Sequence, residues 1–229
     1  LRRQRQMCIR DRVIPAVLEG RDVLAIAATG SGKTLAWAAP VAQALLDDKP
    51  AKGQRLSPHQ RLRCIVVVPT RELAEQIGGV VKDLIRDCVL RSTAVWGKVS
   101  LGPQRDAITP GVDVLVGTPG RLRELIEADV IDPASVKTLV VDEADRLLDM
   151  GFRPQLLWLT KRLPRCEQRI LATATMPKDV EALAGELLKA PIRLEVHPNT
   201  VAVDHVQQHV VMAHPRDRVN LLLHLLHSG

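Results

Sequence analysis

The chain has 229 residues, 46% hydrophobic and 25% charged, which is enough for one large α/β domain or two small ones. No apolar run approaches the ~18 residues that cross a membrane, so we expect no membrane association. The four cysteines are scattered without a CxxC pair, which argues against zinc or a disulfide framework and favours a reducing cytoplasm. Aromatic residues are only 2%, so a bound nucleic acid would be held by its backbone rather than by base stacking.

From Asp22 onward, apolar strand-like runs alternate with amphipathic helical runs. The predicted strands are, in chain order, DVLAIAA, RCIVVVP, RSTAVWG, VDVLVGTP, VKTLVVDEAD, QRILATAT and IRLEV. The predicted helices are GKTLAWAAPVAQALLD, RELAEQIGGVVKDLIRD, a short piece before the fourth strand, GRLRELIEAD, RPQLLWLTKRL and PKDVEALAGELL. Continuous apolar strands are typical of a parallel sheet with helices on both faces, so the pattern predicts an α/β fold.

The regular alternation stops near the end of the chain. Residues 197–205 are polar and aperiodic, which predicts a linker. One strand-like run, VQQHVVMA, and one amphipathic helix, RDRVNLLLHLLHS, follow it. Because a single β–α pair cannot bury a core of its own, we expect 13–196 to be one domain and 206–229 to be the truncated start of a second.

A glycine-rich stretch, AATGSGKT, follows the first predicted strand and opens the next helix. Backbone N–H groups of such a turn converge on phosphate oxygens, and the helix N-terminus adds its positive dipole end. Lys33 can reach the outer phosphates and the Thr34 hydroxyl can bind Mg²⁺. Ala27 replaces the first glycine of the common spacing, and an ordinary loop with a surface lysine is the alternative. The predicted ATP-binding residues are Ala28, Thr29, Gly30, Ser31, Gly32, Lys33 and Thr34.

Three carboxylates in four residues end the strand TLVV. Ligands of open α/β sheets bind at the carboxyl ends of the strands, so Asp142 is expected to face the glycine-rich turn. There it can hold Mg²⁺, largely through water, opposite Thr34. Glu143 can activate the attacking water, and Asp145 can bond a neighbouring loop that senses whether the site is loaded. The predicted catalytic residues are Glu143, Asp142 and Lys33, and a solvated acidic loop is the alternative.

These motifs together resemble the first RecA-like domain of a DEAD-box ATP-dependent RNA helicase. The resemblance rests on five motifs in family order: AATGSGKT, PTRELAEQI at 69–77, TPGR at 118–121, VDEAD at 141–145 and TAT at 173–175. It covers 13–196, and the tail resembles the start of the second RecA-like domain. It implies a P-loop NTPase fold, ATP and Mg²⁺ as cofactors, and RNA as partner. The stretches VIPAVLEGRDVLAIAATGSGKT and DEADRLLDMGF further suggest a bacterial RhlE-like member.

The resemblance also implies roles for residues outside the nucleotide motifs. Loop amides, hydroxyls and arginines read phosphate and sugar rather than base edges, so the RNA contact would be independent of sequence. Asp145, Thr173 and Thr175 would couple the ATP and RNA sites. For PTRELAEQI, a plain helix start capped by Thr70 is compatible with the same role. The RNA-contacting residues implied are Pro69, Thr70, Arg71, Gly97, Thr118, Gly120 and Arg121.

Three positions depart from the family pattern. Thr173 replaces the usual serine and keeps its hydroxyl, and Lys98 replaces the second glycine of an RNA-facing Gly-Gly pair. Arg10 stands where the family has a glutamine that reads adenine. It lies in a basic arm, 1–12, that carries five arginines and one aspartate of a chain with net charge +6. This arm resembles translated sequencing-adaptor DNA, so we expect it to be non-native or disordered; a native RNA-binding arm is the alternative.

The sequence therefore predicts an ATP-dependent RNA helicase fragment with little activity alone, because the family's second domain supplies arginines that stabilise the transition state. Two alternatives remain open: a nucleotide-gated RNA-binding module, and another P-loop enzyme such as a DNA translocase or a small-molecule kinase. The RNA substrate and the oligomeric state stay undetermined.

Overall fold

The computed structural model describes residues 9–48, 57–196 and 210–227. The chain divides into two compact units, Leu1–His197 and Pro198–Gly229. The predicted linker at 197–205 lies outside the described residues. None of the helices in the described ranges has the length and apolarity that crossing a bilayer would require.

The first unit is built on one seven-stranded sheet. Its strands are β1 (Val23–Ala27), β2 (Cys64–Val67), β3 (Ser92–Val95), β4 (Val114–Gly117), β5 (Thr138–Val141), β6 (Gln168–Thr173) and β7 (Ile192–Val196). The strand order is β3-β4-β2-β5-β6-β1-β7, and every pairing is parallel. Each of the seven predicted strands of this unit is present. Six have shorter bounds than the predicted runs, and β7 has the bounds of the run IRLEV.

Helices connect the strands and cover the sheet. They are α1 (Ile9–Leu18), α2 (Lys33–Asp47), α3 (Arg71–Leu84), α4 (Leu101–Ile108), α5 (Pro119–Glu127), α6 (Ala144–Asp149), α7 (Arg153–Thr160) and α8 (Lys178–Leu187). Short 3-10 turns lie at Pro58–Arg61 and Pro133–Ser135.

Two hydrophobic cores lie on opposite faces of the sheet. Neighbouring strand residues point to opposite faces, so Ile65 of β2 belongs to one core and Val66 to the other. Buried leucines of α5, α6, α7 and α8 fill the first core, whereas α1, α2 and α3 fill the second. Helices therefore cover both faces, which confirms the predicted α/β fold.

The first helix begins inside the arm that was predicted to be disordered. α1 starts at Ile9, and Ile9 and Val13 are both buried in the second core. Their spacing of four residues places them on one helix face, a periodicity too short to detect from sequence. α1 therefore extends four residues into the predicted arm, and the domain boundary at residue 13 stays a prediction. Residues 1–8 lie outside the described part, and whether the arm is native stays a prediction.

Two further predictions about local structure were wrong. The sequence predicts that the strand continues through Asp145, whereas residues 144–149 form α6. Glu143, with a φ of 52°, ends the extended conformation of the strand. In the second unit, the described part of the predicted strand VQQHVVMA, 210–213, has no strand structure. A strand is stabilised by its ladder partner, and the described residues of this unit hold only a 3-10 turn (Pro215–Asp217) and α9 (Arg218–His227).

Candidate nucleotide and RNA site

The sheet sorts the predicted motifs into two adjacent groups at one edge. Because all strands are parallel, the loops after their carboxyl ends share that edge. The nucleotide motifs follow β1, β5 and β6, which are neighbours in the sheet. The RNA motifs follow β2, β3 and β4, which are also neighbours. The structure therefore brings both predicted sets together on one side of the molecule, nucleotide set beside RNA set.

The glycine-rich turn has the backbone that its sequence predicts. Gly30 and Gly32 have φ values of 80° and 91°, which a side chain would disfavour. Gly32 is the N-cap of α2, and no side chain caps that helix end. The first amides of α2 and the helix dipole are therefore directed at the position where an anion would bind. Ser31 donates its backbone N–H to Ala28 O at 3.2 Å, which closes the turn.

Lys33 is folded back onto the loop that precedes it. Its Nζ donates to Ala27 O and, at 3.0 Å, to Ala28 O. Burial lowers the pKa of Lys33, and the nearby carboxylates Asp142, Asp145 and Glu143 oppose that effect. Because the ammonium is satisfied only by neutral carbonyls, phosphate oxygens would offer it stronger, charge-assisted hydrogen bonds.

Asp142 is the buried carboxylate of the site, with 3% of its surface exposed. Its Oδ2 accepts a hydrogen bond from Trp37 Nε1 at 3.0 Å, and its Oδ1 accepts one from the Glu143 backbone N–H at 2.9 Å. Burial raises the pKa of Asp142, while Trp37, the Glu143 amide and Lys33 act in the opposite direction. A buried anion whose hydrogen bonds come from neutral donors gains most from a nearby cation.

Glu143 occupies an unusual backbone position directly after Asp142. Its φ of 52° lies in the left-handed region, where a residue without glycine's freedom is strained by about 1–3 kcal/mol. Such strain is typical of functional sites. Its Oε2 lies 3.3 Å from Arg146 Nη1, and the side chain keeps about a quarter of its surface exposed. The carboxylate can therefore reach a water molecule, as the predicted role requires.

Asp145 joins the acidic motif to the TAT motif. Its Oδ2 accepts hydrogen bonds from the backbone N–H of Thr175 at 2.9 Å and from Thr175 Oγ1 at 2.8 Å. Thr173 Oγ1 in turn donates to Thr175 O at 2.8 Å. Burial alone would raise the pKa of Asp145, but the hydrogen bonds from Thr175 and the Arg146 amide lower it overall. The three predicted coupling residues thus form one continuous network.

The donor set fits a magnesium ion held mainly by water and phosphate. Across the described ranges, no group of three or more His, Cys, Asp or Glu side chains could enclose a metal. Mg²⁺ commonly keeps several waters and takes only one or two protein ligands beside phosphate oxygens. The buried Asp142 carboxylate, poor in charged partners, and the Thr34 hydroxyl at the start of α2 match that requirement.

On the RNA side, Thr70 and Arg71 open α3. Pro69 is buried at the end of β2, and Thr70 Oγ1 accepts a hydrogen bond from the Leu73 backbone N–H at 3.3 Å, so Thr70 is an N-cap as expected. The Arg71 guanidinium lies 5.1 Å from the ring centroid of Trp96 and pairs with Glu75. The arginine is therefore held over an aromatic ring but stays exposed at this edge.

Gln104 ties the RNA-facing loops together. Its Oε1 accepts from the Trp96 backbone N–H at 3.3 Å and from Arg121 Nη1 at 2.9 Å, while its Nε2 donates to Trp96 O at 3.2 Å. Arg121 Nη2 donates to Val99 O at 2.7 Å, and Arg121 Nε lies 2.8 Å from Glu124 Oε2. With 4% exposure, Arg121 lies where it supports these loops from beneath rather than at the surface.

Two predicted RNA contacts, Gly97 and Gly120, present open backbone, and a third, Thr118, presents a hydroxyl. A Cβ added to Gly97 or Gly120 would meet no atom within 4 Å, so a nucleic-acid strand could approach either closely. Thr118 precedes α5 and its hydroxyl makes no capping hydrogen bond. Lys98 has a φ of 62° and is exposed, which places a cation in the left-handed conformation that glycine would adopt more easily.

Arg10 lies beside the glycine-rich turn. A Cβ built on Gly32 would be 3.5 Å from Arg10 Nε, so the arginine side chain passes directly over the start of α2. The position that the resemblance gives to an adenine-reading glutamine is therefore close to the predicted phosphate site.

Two residues of the site were missed from the sequence. Trp37 contacts Asp142 across 105 residues, and Gln104 joins the loop after β3 to the start of α5. Trp37 follows Lys33 by one helical turn, which was a detectable signal that it shares a helix face with the lysine. No sequence signal marks Gln104, because its two partners, Trp96 and Arg121, come together only in the folded chain.

Comparison with known proteins places these features in a family. A sequence model described as "DEAD/DEAH box helicase" matches residues 8–183. The chain is 40% identical over 223 residues to "DEAD-box ATP-dependent RNA helicase 5" of Arabidopsis thaliana, a match that covers 95% of this chain and 41% of that protein. It is 34% identical to "Probable ATP-dependent RNA helicase DDX46" of Danio rerio, covering 95% of this chain and 21% of that protein. The chain thus spans less than half the length of these relatives.

Solved structures show the same fold. The yeast DEAD-box splicing factor Prp28 superposes with a TM-score of 0.76 at 28% identity, over 84% of this chain and 45% of that chain. A hypothetical ATP-dependent RNA helicase from Sulfolobus tokodaii superposes with a TM-score of 0.73 at 27% identity, over 85% and 54%. The likeness confirms the RecA-like architecture predicted for the first unit.

Proposed function

Because the chain belongs to the DEAD/DEAH box helicase family, we propose that its protein couples ATP hydrolysis to local separation of RNA strands, with this chain supplying the ATP-binding domain. The observation that carries the proposal is the shared sheet edge. The nucleotide loops after β1, β5 and β6 lie beside the RNA loops after β2, β3 and β4. A ligand in one group would therefore be placed to influence the other through neighbouring loops.

ATP would be held by its phosphates. The turn from Ala28 to Gly32 supplies backbone N–H groups, and α2 supplies its dipole. Lys33 would leave the carbonyls of Ala27 and Ala28 and donate to phosphate oxygens instead. That exchange would replace neutral acceptors by anionic ones and so favour the bound state, and we therefore expect nucleotide binding to depend on Lys33.

Asp142 and Thr34 would hold the Mg²⁺ of the nucleotide. A divalent cation held there would supply positive charge that stabilises the negative charge developing during phosphoryl transfer. Glu143 would accept a proton from the attacking water, for which its partly exposed carboxylate is placed next to Asp142. Asp145 would transmit the state of the acidic loop to Thr175 through their paired hydrogen bonds.

RNA would lie along the loops that carry Thr70, Gly97, Thr118 and Gly120. These positions offer a hydroxyl, exposed backbone and helix N-termini, all of which bind phosphate and sugar. Sequence-independent binding follows, because none of these groups discriminates between bases. Arg121 would act by holding the loops in place, since its guanidinium is already bonded to Gln104 and Val99.

Turnover by the chain alone is expected to be negligible. The relatives are more than twice as long, and in the resemblance the second RecA-like domain supplies the arginines that are worth ~10³–10⁵ in rate in related enzymes. The cytoplasmic location stays a prediction. The narrower RhlE-like assignment receives no support from the plant and fish relatives.

The test is equilibrium binding of fluorescent ATP and GTP analogues to the chain. Lys33→Ala should abolish binding, whereas Lys161→Ala, which removes an exposed lysine from the end of α7, should leave it unchanged. Because Arg10 stands at the adenine-reading position, we expect little preference for ATP over GTP. Wild-type protein that binds neither nucleotide would contradict the proposal.

A second measurement separates the proposal from its alternatives. Joined to a second RecA-like domain, the chain should hydrolyse ATP faster with RNA than with DNA and should unwind short RNA duplexes. A nucleotide-gated binding module would bind RNA without unwinding it. A DNA translocase would respond to DNA, and a kinase would yield a phosphorylated product.

A further inference from the structure

Trp37 and Asp142 form a buried hydrogen bond that the chemistry proposed above does not use. Trp37 lies on α2, one turn after Lys33, and Asp142 follows β5. The indole Nε1 donates to Oδ2 at 3.0 Å, and the two residues expose 2% and 3% of their surfaces. A buried hydrogen bond to an anion is stronger than one between neutral groups, and this one restricts rotation of the carboxylate plane.

The bond leaves Asp142 with one defined orientation. Oδ1 is held by the Glu143 amide and Oδ2 by the indole, so each oxygen has one donor and one remaining lone-pair direction. Rotation about the Cβ–Cγ bond would break both hydrogen bonds, and the low exposure of the two side chains leaves little solvent to replace them. The outward lone pairs of the carboxylate are therefore set before any ligand arrives.

We propose that Trp37 is a positioning residue for the metal of the nucleotide site: its indole N–H orients Asp142 so that Mg²⁺ is bound with the nucleotide. The proposal rests on the function proposed above and goes beyond it by naming a residue outside the sequence motifs. Residues that orient metal ligands by hydrogen bonds commonly alter metal affinity by 10–100-fold when they are removed.

The competing explanation is that Trp37 only packs. Trp37 belongs to the core between α1, α2 and the sheet, and a buried indole N–H generally needs some acceptor. If packing were its only role, removing the ring edge would loosen α2 and weaken nucleotide binding equally with and without metal. If positioning is its role, the loss is confined to the metal-dependent part of binding. The two explanations therefore differ in a measurable ratio.

The experiment is calorimetric titration of the full chain with ATP, in EDTA and over a series of Mg²⁺ concentrations. Trp37→Phe keeps an aromatic ring but removes the donor. We expect its affinity for ATP in EDTA to stay within about twofold of wild type, and the Mg²⁺ concentration for half-maximal enhancement to rise about tenfold. Trp158→Phe is the matched control, because Trp158 of α7 stacks on the Arg162 guanidinium and, within the described part of the chain, its indole donates to no carboxylate. This variant should match wild type in both conditions.

A second variant keeps the test decisive if Trp37→Phe disturbs the fold. The chain has three tryptophans, so Trp96→Phe with Trp158→Phe leaves Trp37 alone. In that background, replacing Trp37 by β-(3-benzothienyl)alanine exchanges the N–H for sulfur with almost no change of shape. The same single-tryptophan protein with the natural indole should change its fluorescence when Mg²⁺ is added to the ATP complex, and little when ATP is added in EDTA.

Each outcome decides the proposal. A rise in the Mg²⁺ requirement without loss of binding in EDTA supports it. Equal losses in both conditions, or no loss in either, would overturn it and leave Trp37 as a packing residue. Wild-type protein that binds no ATP in either condition would overturn the proposed function and this inference with it. The wild-type titration alone reveals that outcome, so it is distinguished from a failure of the inference, which appears only in the variants.

Discussion

Asp145 and Thr175 are joined by two hydrogen bonds although 30 residues separate them in the chain. One comes from the backbone N–H of Thr175 and one from its hydroxyl, and both reach the same oxygen, Oδ2. The acidic loop after β5 and the loop after β6 are therefore linked directly, and the Asp145 side chain is placed to pass a change at Asp142 or Glu143 to the TAT motif.

Thr175→Val, which removes a hydroxyl bonded to Asp145, should weaken the pH dependence of the domain's free energy of unfolding. Because hydrogen bonding lowers the folded pKa of Asp145 below its unfolded value of about 3.9, its stabilisation is complete above that value and is lost as pH falls through the folded pKa. Thr175→Val should cost about 1 kcal/mol between about pH 5 and 7 and progressively less below about pH 4. Urea unfolding at several pH values measures this.

Thr109→Val provides the control for that series. Its exposed hydroxyl donates to Arg105 O within α4 and contacts no carboxylate. Its effect should therefore be small and the same at every pH. A Thr175→Val difference that is equally flat with pH would show that the hydroxyl does not stabilise the Asp145 carboxylate.

A buried ion pair at the opposite edge of the sheet should dominate the stability of the first unit. Asp113, 2% exposed, accepts hydrogen bonds from Arg63 Nη2 at 2.8 Å, Arg61 Nη2 at 3.0 Å and the Arg91 backbone N–H at 2.8 Å. Arg63 is itself 7% exposed. Asp113→Ala would leave that guanidinium buried with only the more distant and more exposed Asp48, whose Oδ2 lies 3.6 Å from Nη1. We therefore expect a cost near the lower end of about 3–5 kcal/mol.

Denaturant unfolding of Asp113→Ala measures that cost, and Asp83→Ala is the comparison. Asp83 pairs with Arg86 at the end of α3, and both side chains are 69% exposed. Loss of an exposed pair costs about 0–1 kcal/mol. Similar effects of the two variants would mean that burial does not set the strength of the Asp113 pair.

Features that depend on residues close together in the sequence could be predicted, whereas contacts between residues far apart in the sequence could not. The strands and the glycine-rich turn depend on neighbours in sequence, so AATGSGKT and TLVV predict β1, β5 and the loops after them. The Trp37–Asp142 and Gln104–Arg121 contacts depend on the sheet order, which no local pattern encodes. α1 was missed because only Ile9 and Val13 of its buried face lie near the arm. Residues 210–213 were predicted as a strand because an apolar run predicts one, but the described residues of the second unit contain no strand with which it could pair.

Gln104 should control RNA affinity without touching RNA. Gln104→Leu keeps the volume of the side chain but removes the hydrogen bonds to Trp96 and Arg121, so the loop that carries Gly97 would lose its support. We expect about tenfold weaker binding of a fluorescent single-stranded RNA, corresponding to about 1.4 kcal/mol. The dependence of the affinity on salt should not change, because no cation that meets a phosphate is removed. A flatter salt dependence would contradict the indirect role.

Lys98 should produce the opposite pattern. Lys98 is exposed and lies in the loop between Trp96 and Val99. Gln104 holds Trp96 by hydrogen bonds, and Arg121 holds Val99. Lys98→Gly removes one cation and relieves the left-handed backbone at φ 62°, so the free energy of unfolding should rise by about 0.5–1 kcal/mol. If the ammonium meets one phosphate, the slope of log affinity against log salt should fall by about 0.7 for a single strand. Lys98→Arg should keep the wild-type slope. Lys98→Asn should show the same reduced slope as Lys98→Gly, because asparagine adopts the left-handed conformation but carries no charge. An unchanged slope in Lys98→Gly would show that the lysine faces solvent rather than RNA.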